Sequence, residues 1–270
     1  MKTGPIILKL GGSVITNKRV GKPVVRVRHV KQLAREVSRV CLDGARGSRP
    51  PLILLYGGGS FGHPLAHRYQ LSGKMLSIDS LVDAAKTISA MRRLGTTLTD
   101  IFLDEGVPVV PLQTSSSVQQ RNGKLIITNY SLIEDILLYG GIPLLGGDVI
   151  VADHRRTVIA SADWLASKLA RHFHSRKLLF ATDVSGVYKK FPARTHERPL
   201  PVILRKELKA LVASSQTTRD DSIDVTGAMA GKLRSLLPLR NCTVIIFNGL
   251  LRNVLAGVLR GEMHGTRITL

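Results

Sequence analysis

The chain has 270 residues, and 39 Lys+Arg against 19 Asp+Glu leave a formal net charge of +20. With 44% hydrophobic and 21% charged residues it can bury a large core, which excludes a disordered basic tail, and 4% aromatics leave little to stack nucleic-acid bases. Two cysteines, Cys41 and Cys242, are too few for a disulfide framework or a multi-cysteine metal site, and no apolar run reaches the ~18 residues that span a bilayer. A folded, cytoplasmic protein with an anionic ligand and no membrane segment is expected.

In chain order, short apolar runs at 6–10, 52–56, 107–111, 142–145, 178–181 and 243–247 read as buried strands. Between the first two, Val30, Leu33, Ala34, Val37, Val40 and Cys41 form one apolar stripe opposite Lys31, Arg35, Glu36 and Arg39, the pattern of a helix on a core. Helical spacing recurs at 78–103, 131–139, 162–172, 205–213, 229–237 and 250–259. Residues 114–129, with Arg121, Asn122 and Gly123 at the turn, read as a hairpin leaving the main sheet, and polar residues 214–222 as a loop. The alternation predicts an α/β fold, a mostly parallel sheet covered on both faces, in a single domain with two lobes.

In such sheets ligands collect at the carboxyl ends of strands. There the sequence places Gly11, Gly12 and Ser13, then Gly57, Gly58, Gly59 and His63, then Gly146, Gly147 and Asp148, then Asp183, Ser185 and Gly186. Glycine lets backbone N–H groups approach phosphate oxygens, so these turns suggest an extended polyphosphate site. Lys9 stands inside the first strand among Ile6, Ile7, Leu8 and Leu10, where an ammonium group is costly unless an anion meets it. The alternative is an edge strand from which the lysine snorkels. Lys18 follows the first glycine turn and Lys232 follows DVTGAMAGK, each a solvated surface lysine if taken alone.

The GGGSFG run also satisfies the dinucleotide pattern G-x-G-x-x-G, which makes a nicotinamide- or flavin-dependent oxidoreductase a rival. His63 and Pro64 follow at once, where that unit should continue into a helix, and this speaks against it. No P-loop run is present. His63 and His67 have i, i+4 spacing without a further ligand nearby, so no metal site is expected; His67, His172, His174 and His196 read as surface or boundary histidines.

Taken together, ILKLGGSVITNK at 7–18, GGGSFGH at 57–63, GGDVI at 146–150, TDVSGVY at 182–188 and DVTGAMAGK at 224–232 resemble, in order and spacing, the amino acid kinase superfamily and within it the isopentenyl phosphate kinases. The histidine closing GGGSFGH is shared with the fosfomycin kinases. The resemblance covers nearly the full length. It implies a three-layer αβα fold over 1–270, with an acceptor-binding N-terminal half and an ATP-binding C-terminal half, generally as a homodimer. It implies ATP with Mg²⁺, and isopentenyl phosphate as the acceptor converted to isopentenyl diphosphate, with fosfomycin or another small phosphate or phosphonate as the alternative. Neither a membrane nor a nucleic-acid partner is expected.

By position, the resemblance puts Lys9, Gly11, Gly12 and Ser13 at the ATP phosphates and Lys18 at the transferring group. Gly58, Gly59 and His63 bracket acceptor and ATP, and Asp183, Gly186, Tyr188, Gly227 and Lys232 surround the nucleotide. Val158 stands on the acceptor side in place of a frequent glycine. Ala162, Ser185 and Ala228 are further departures from the pattern, and Tyr56 replaces a histidine that often precedes the glycine run. For an acceptor tail, Ile78, Leu81, Val82, Ile88 and Met91 supply apolar surface that core packing explains equally well. Arg26, Arg28, Arg35, Arg39, Arg46 and Arg49 are not needed for phosphate transfer; long-range attraction of anions is the expectation for them.

Overall fold

The computed structural model describes residues 4–17, 22–41, 51–152, 155–189, 197–214 and 226–270, with side chains from 229 onward in the last segment. Lys18, Arg46, Arg49 and all of the expected 214–222 loop beyond Ser214 lie outside the described residues.

Strand β1 (Ile6–Leu10) leads into one-turn α1 (Gly12–Ile15) and the hairpin β2 (Thr16–Asn17) and β3 (Val24–Val25). Helix α2 (Val27–Cys41) is followed by β4 (Leu52–Tyr56), α3 (Gly59–Arg68) and α4 (Ile78–Asp104). Next come β5 (Val109–Leu112), short α5 (Thr114–Ser117), the hairpin β6 (Val118–Arg121) and β7 (Lys124–Ile127), and α6 (Tyr130–Leu138). Strand β8 (Ile142–Gly146), the hairpin β9 (Asp148–Ala152) and β10 (Arg156–Ala160), α7 (Ala162–His172) and β11 (Lys177–Thr182) follow. The order finishes with β12 (Val202–Leu204), α8 (Arg205–Ser214), α9 (Thr226–Leu236), β13 (Thr243–Asn248), α10 (Val254–Arg260) and β14 (Thr266–Thr269).

Eight strands form one sheet in the order β12-β14-β13-β11-β1-β4-β8-β5, parallel except where β13 meets β14. Side chains alternate across it. Leu8, Leu10, Leu54 and Leu179 pack with α2, α4 and α10 on one face, while Ile7, Ile53, Leu178 and Phe180 pack with α6, α7, α8 and α9 on the other. Burying each such side chain stabilises the fold by roughly 1.5–3 kcal/mol. The expected α/β architecture is therefore what these residues build, and the 114–129 hairpin stands apart from the main sheet as β6 and β7.

Some expectations change. Strand β1 is flanked by β4 and β11, with Lys9 opposite Leu55 and Phe180, so the edge-strand alternative for Lys9 fails. The GGGSFG run does open a helix, α3, with Pro64 inside it. Gly59, at φ +48°, turns the chain so that Phe61 and Gly62 donate N–H bonds to the Gly58 carbonyl at 3.0 Å, starting the helix at once. Proline removes one helical bond, which this short segment tolerates. The oxidoreductase reading still lacks its acidic residue at a second strand end, since Asp79 lies in the first turn of α4. Helix α10 starts at Val254 rather than residue 250, after Asn253 in the left-handed region (φ 63°). Strands β9, β10, β12 and β14 are additions to the strands expected from the sequence.

Candidate active site

The turns at the strand ends are stitched to their neighbours by backbone hydrogen bonds. Gly11 donates to Ala181 O (2.8 Å), Gly57 to Leu10 O (3.0 Å), Gly147 to Tyr56 O (3.1 Å) and Gly249 to Thr182 O (2.8 Å). Gly12 and Gly59 meet backbone to backbone, and a Cβ on Gly12 would collide with the Gly59 amide. The contact is locked by Thr16, whose hydroxyl donates to Gly12 O (2.7 Å) and accepts from Ser60 N–H (2.9 Å). Sequence reading did not single out Thr16; its fourth place after Gly12, as in a helical i, i+4 bond, was the available signal. Beside it, Ser60 Oγ is buried with no hydrogen-bond partner among the described residues.

Beneath these turns, Lys9 and Lys232 converge on one carboxylate. Lys9 Nζ is 2.9 Å from Asp163 Oδ1, and Lys232 Nζ is 2.9 and 3.0 Å from Oδ1 and Oδ2. Lys9 points off the buried strand toward α7, passing Gly57, where a Cβ would lie 3.5 Å from its Cε. Asp163 sits in the first turn of α7, capped by Ser161 Oγ accepting from Trp164 N–H (3.1 Å), where the helix dipole favours a negative charge. Lys232 comes from α9, with its ammonium 4.5 Å from the centre of the Phe180 ring. Both lysines are buried, 8% and 5% exposed.

One carboxylate thus serves two ammonium groups, leaving an uncompensated positive charge in a low-dielectric place. Burial alone would raise the Asp163 carboxyl, but Lys9 and Lys232 hold it well below the usual carboxylate range. Burial and the adjacent Lys9 bring the Lys232 ammonium down to about 8, against the pull of Asp163. Asp163 follows the departure at Ala162 in the sequence, and nothing local marked it as the partner of residues 9 and 232.

The other expected residues lie on α1, α3, α9, β10 and the segment after β11. Ser13 lies in α1 beside Gly12. His63, exposed on α3, lies against Gly58, where a Cβ would stand 3.4 Å from its imidazole. Asp183 is exposed just past β11; Gly186, at φ +154°, is pressed against Thr266, and Tyr188 is half-buried. Gly227 lies in the first turn of α9. Val158, half-buried on β10, pairs with Ile150 of β9. Of the apolar residues considered for an acceptor tail, Met91 is in the core, whereas Ile78, Leu81 and Val82 are exposed.

Asp148 of the GGD turn is buried, accepting from Val149 N–H (2.9 Å) and Ser115 N–H (3.3 Å); burial raises its carboxyl despite these bonds. Tyr56 lies between Gly146 and Gly95, and a Cβ on either would collide with it. Those two glycines accommodate the tyrosine that stands in the histidine's place, and burial, then Asp148, raises its phenol.

Excess buried positive charge, a glycine seam and an orphaned hydroxyl suit a polyphosphate. Among the described residues no cluster of three His, Cys, Asp or Glu could hold a metal ion, and no helix is long and apolar enough to cross a membrane.

The chain is similar to known proteins over nearly its full length. The Amino acid kinase family matches residues 4–248. Isopentenyl phosphate kinase of Methanothermobacter thermautotrophicus is 31% identical over 98% of this chain and 98% of its own, and that of Methanocaldococcus jannaschii 30% identical over 97% of each. A solved isopentenyl phosphate kinase structure superposes with a TM-score of 0.80 at 29% identity, covering 97% of this chain and 99% of its own. With its motifs, fold and full-length relatives in agreement, the chain belongs to the amino acid kinase family, on its isopentenyl phosphate kinase branch.

Proposed function

We propose that the protein transfers the γ-phosphoryl group of ATP to isopentenyl phosphate, yielding isopentenyl diphosphate and ADP. The observation that carries this reading is the buried pair Lys9 and Lys232 sharing the single carboxylate of Asp163 beneath two touching glycine turns. An acceptor phosphate is already an anion near neutral pH, so no strong base is needed; the obstacle is repulsion between two phosphates brought into line. An acceptor oxygen attacks the γ-phosphorus as its bond to the bridging oxygen breaks and ADP leaves. Lys9, Lys232 and the backbone N–H groups of Gly11, Gly12, Ser13 and Gly59 offset the charge on the nucleotide phosphates. Lys18 stabilises the group in transfer. Gly58, His63 and Val158 face the acceptor, and Asp183, Gly186, Tyr188 and Gly227 line the nucleotide. Magnesium bound with the nucleotide would add positive charge beside Lys9 and Lys232.

In this reading the N-terminal half of a single domain, 1–270, holds the acceptor and the C-terminal half holds ATP. The protein is cytoplasmic and dimeric, and exposed Leu103, Val110, Leu138 and Tyr139 beside the β5 edge of the sheet support a second copy there. Incubation with Mg·ATP and isopentenyl phosphate, fosfomycin or uridine monophosphate, followed by mass spectrometry, should give isopentenyl diphosphate as the main product. A larger turnover of fosfomycin would reassign the acceptor. His63→Ala should raise the KM for isopentenyl phosphate about tenfold while leaving that for ATP nearly unchanged, as expected for loss of one hydrogen bond to a charged group.

A further inference from the structure

The net charge of +20 is unevenly placed. Residues 51–154 hold 7 Lys+Arg against 9 Asp+Glu, net −2, leaving 32 against 10, net +22, for 1–50 and 155–270. Two buried lysines use little of it. On α2, Arg28, Lys31, Arg35 and Arg39 recur at helical spacing along the side away from the sheet. The one acid of that helix, Glu36, is buried and occupied, accepting from Asn253 N–H (2.9 Å) and Ala256 N–H (3.0 Å) at the start of α10. Arg35 pairs with Glu105 (2.7 Å), but Arg28, Lys31 and Arg39 form no ion pair among the described residues. Cations at i, i+4 repel, so this stripe costs folding stability, offset among the described residues by the Arg35–Glu105 pair alone.

The Glu36 bonds, with His29 Nε2 2.9 Å from Gly249 O, lay the turn before α10 alongside the stripe and add Arg252. At that end Val24, Val27 and Leu251 are 40%, 45% and 52% exposed. We propose that this face, α2 with the turn at 249–253, docks on the surface of an anionic lipid bilayer. Arginine and lysine would meet lipid phosphates while the three aliphatic side chains enter the headgroup layer. A second copy is not the complement, since like faces repel and residues 51–154 carry only −2 to offer. Nucleic acid fits less well: α2 is hemmed in by α4 and α10 rather than standing proud to enter a major groove, and the face has no aromatic residue to stack on bases.

The test is sedimentation of the full chain with phosphatidylcholine vesicles, alone or mixed with phosphatidylglycerol, at low and high salt. The protein should pellet with the mixed vesicles and not with phosphatidylcholine alone, and should be released by salt. Arg28→Glu with Arg39→Glu should weaken binding at least about tenfold, and Leu251→Asp should weaken it less. Lys206→Glu with Lys209→Glu on α8, exposed on the opposite layer, makes the same change in net charge and should weaken it less than about threefold. All of these positions are exposed, and melting curves check that each variant folds. Equal pelleting with both vesicles, or equal loss from the two double variants, overturns the proposal. So does preferential binding of duplex RNA that the α2 double variant abolishes.

Discussion

Asp163, half-buried in the first turn of α7, and Asp148, buried at the start of β9, are tuned in opposite directions. Asp163 meets two ammonium groups at 2.9 Å and is held well below the ordinary carboxylate range. Asp148 meets the backbone N–H groups of Val149 and Ser115 and the Ser115 side chain, with Arg92 acting from farther away, and burial raises it. The difference follows from charge rather than from depth: a buried carboxylate stays ionised easily only where cations replace the water it lost. The region around Asp163 is left cationic and suited to phosphates, whereas the region around Asp148 needs its carboxylate as a hydrogen-bond acceptor that holds a turn.

The contrast breaks most sharply at the lysines. Lys9→Met or Lys232→Met should lower kcat by about 10²–10³, the loss expected when one preorganised donor to a developing charge is removed. Asp163→Asn should fall in the same range, since it leaves two ammonium groups facing each other with no anion between them. Steady-state rates within tenfold of the unaltered protein would show that this centre only stabilises the fold.

Thr16→Ala releases the clamp between the two glycine turns while removing no group from the charged centre. A loss of about tenfold in kcat/KM is expected, recovered by Thr16→Ser, which keeps the hydroxyl. A Ser variant as impaired as Ala would place the effect in packing of the methyl group instead.

The ammonium of Lys232 supplies a pH dependence with a definite sign. Protonated below about 8, it is cationic and binds phosphate; above that it becomes neutral, so kcat/KM for ATP should fall as pH rises past about 8. Bound nucleotide favours the cation, which moves the same limb in kcat to higher pH. A kcat/KM profile flat to about pH 9.5 would remove Lys232 from the phosphate site.

Asp148→Asn is the smallest of these perturbations. The amide oxygen can still accept N–H bonds, so turnover should change less than about threefold. The native carboxyl is raised above its unfolded value, so its contribution to stability is complete at acid pH and is lost as pH rises through the folded value. The Asn variant should therefore melt higher than the unaltered protein at about pH 7, by a margin that shrinks toward about pH 4. Differential scanning calorimetry at the two pH values decides it.

Buried strands were legible in the sequence because both faces of a parallel sheet are covered, which writes runs such as 52–56 and 178–181 without polar interruption. The hairpin β9 and β10, the edge strand β12 and its neighbour β14 were not: the hairpin and β12 leave side chains such as Val151 and Val202 exposed, and β12 and β14 find each other only across a long stretch of chain. Helix α3 was missed because Pro64 argues against a helix locally, while the turn at Gly59 that starts it depends on the backbone of Gly12 and the hydroxyl of Thr16.

The sequence by itself determined the alternating layers, the glycine turns that follow the strands, and the anomaly of Lys9 among apolar neighbours. These depend on near neighbours in the chain, through side-chain period and backbone freedom. Tertiary structure alone decided that Asp163 answers Lys9 and Lys232, that Thr16 joins two turns, and that Glu36 turns inward to α10 and leaves α2 with a single-sign face. Electrostatic partners are chosen by distance in space, and the parallel crossovers bring together residues whose separation along the chain carries no trace of the pairing.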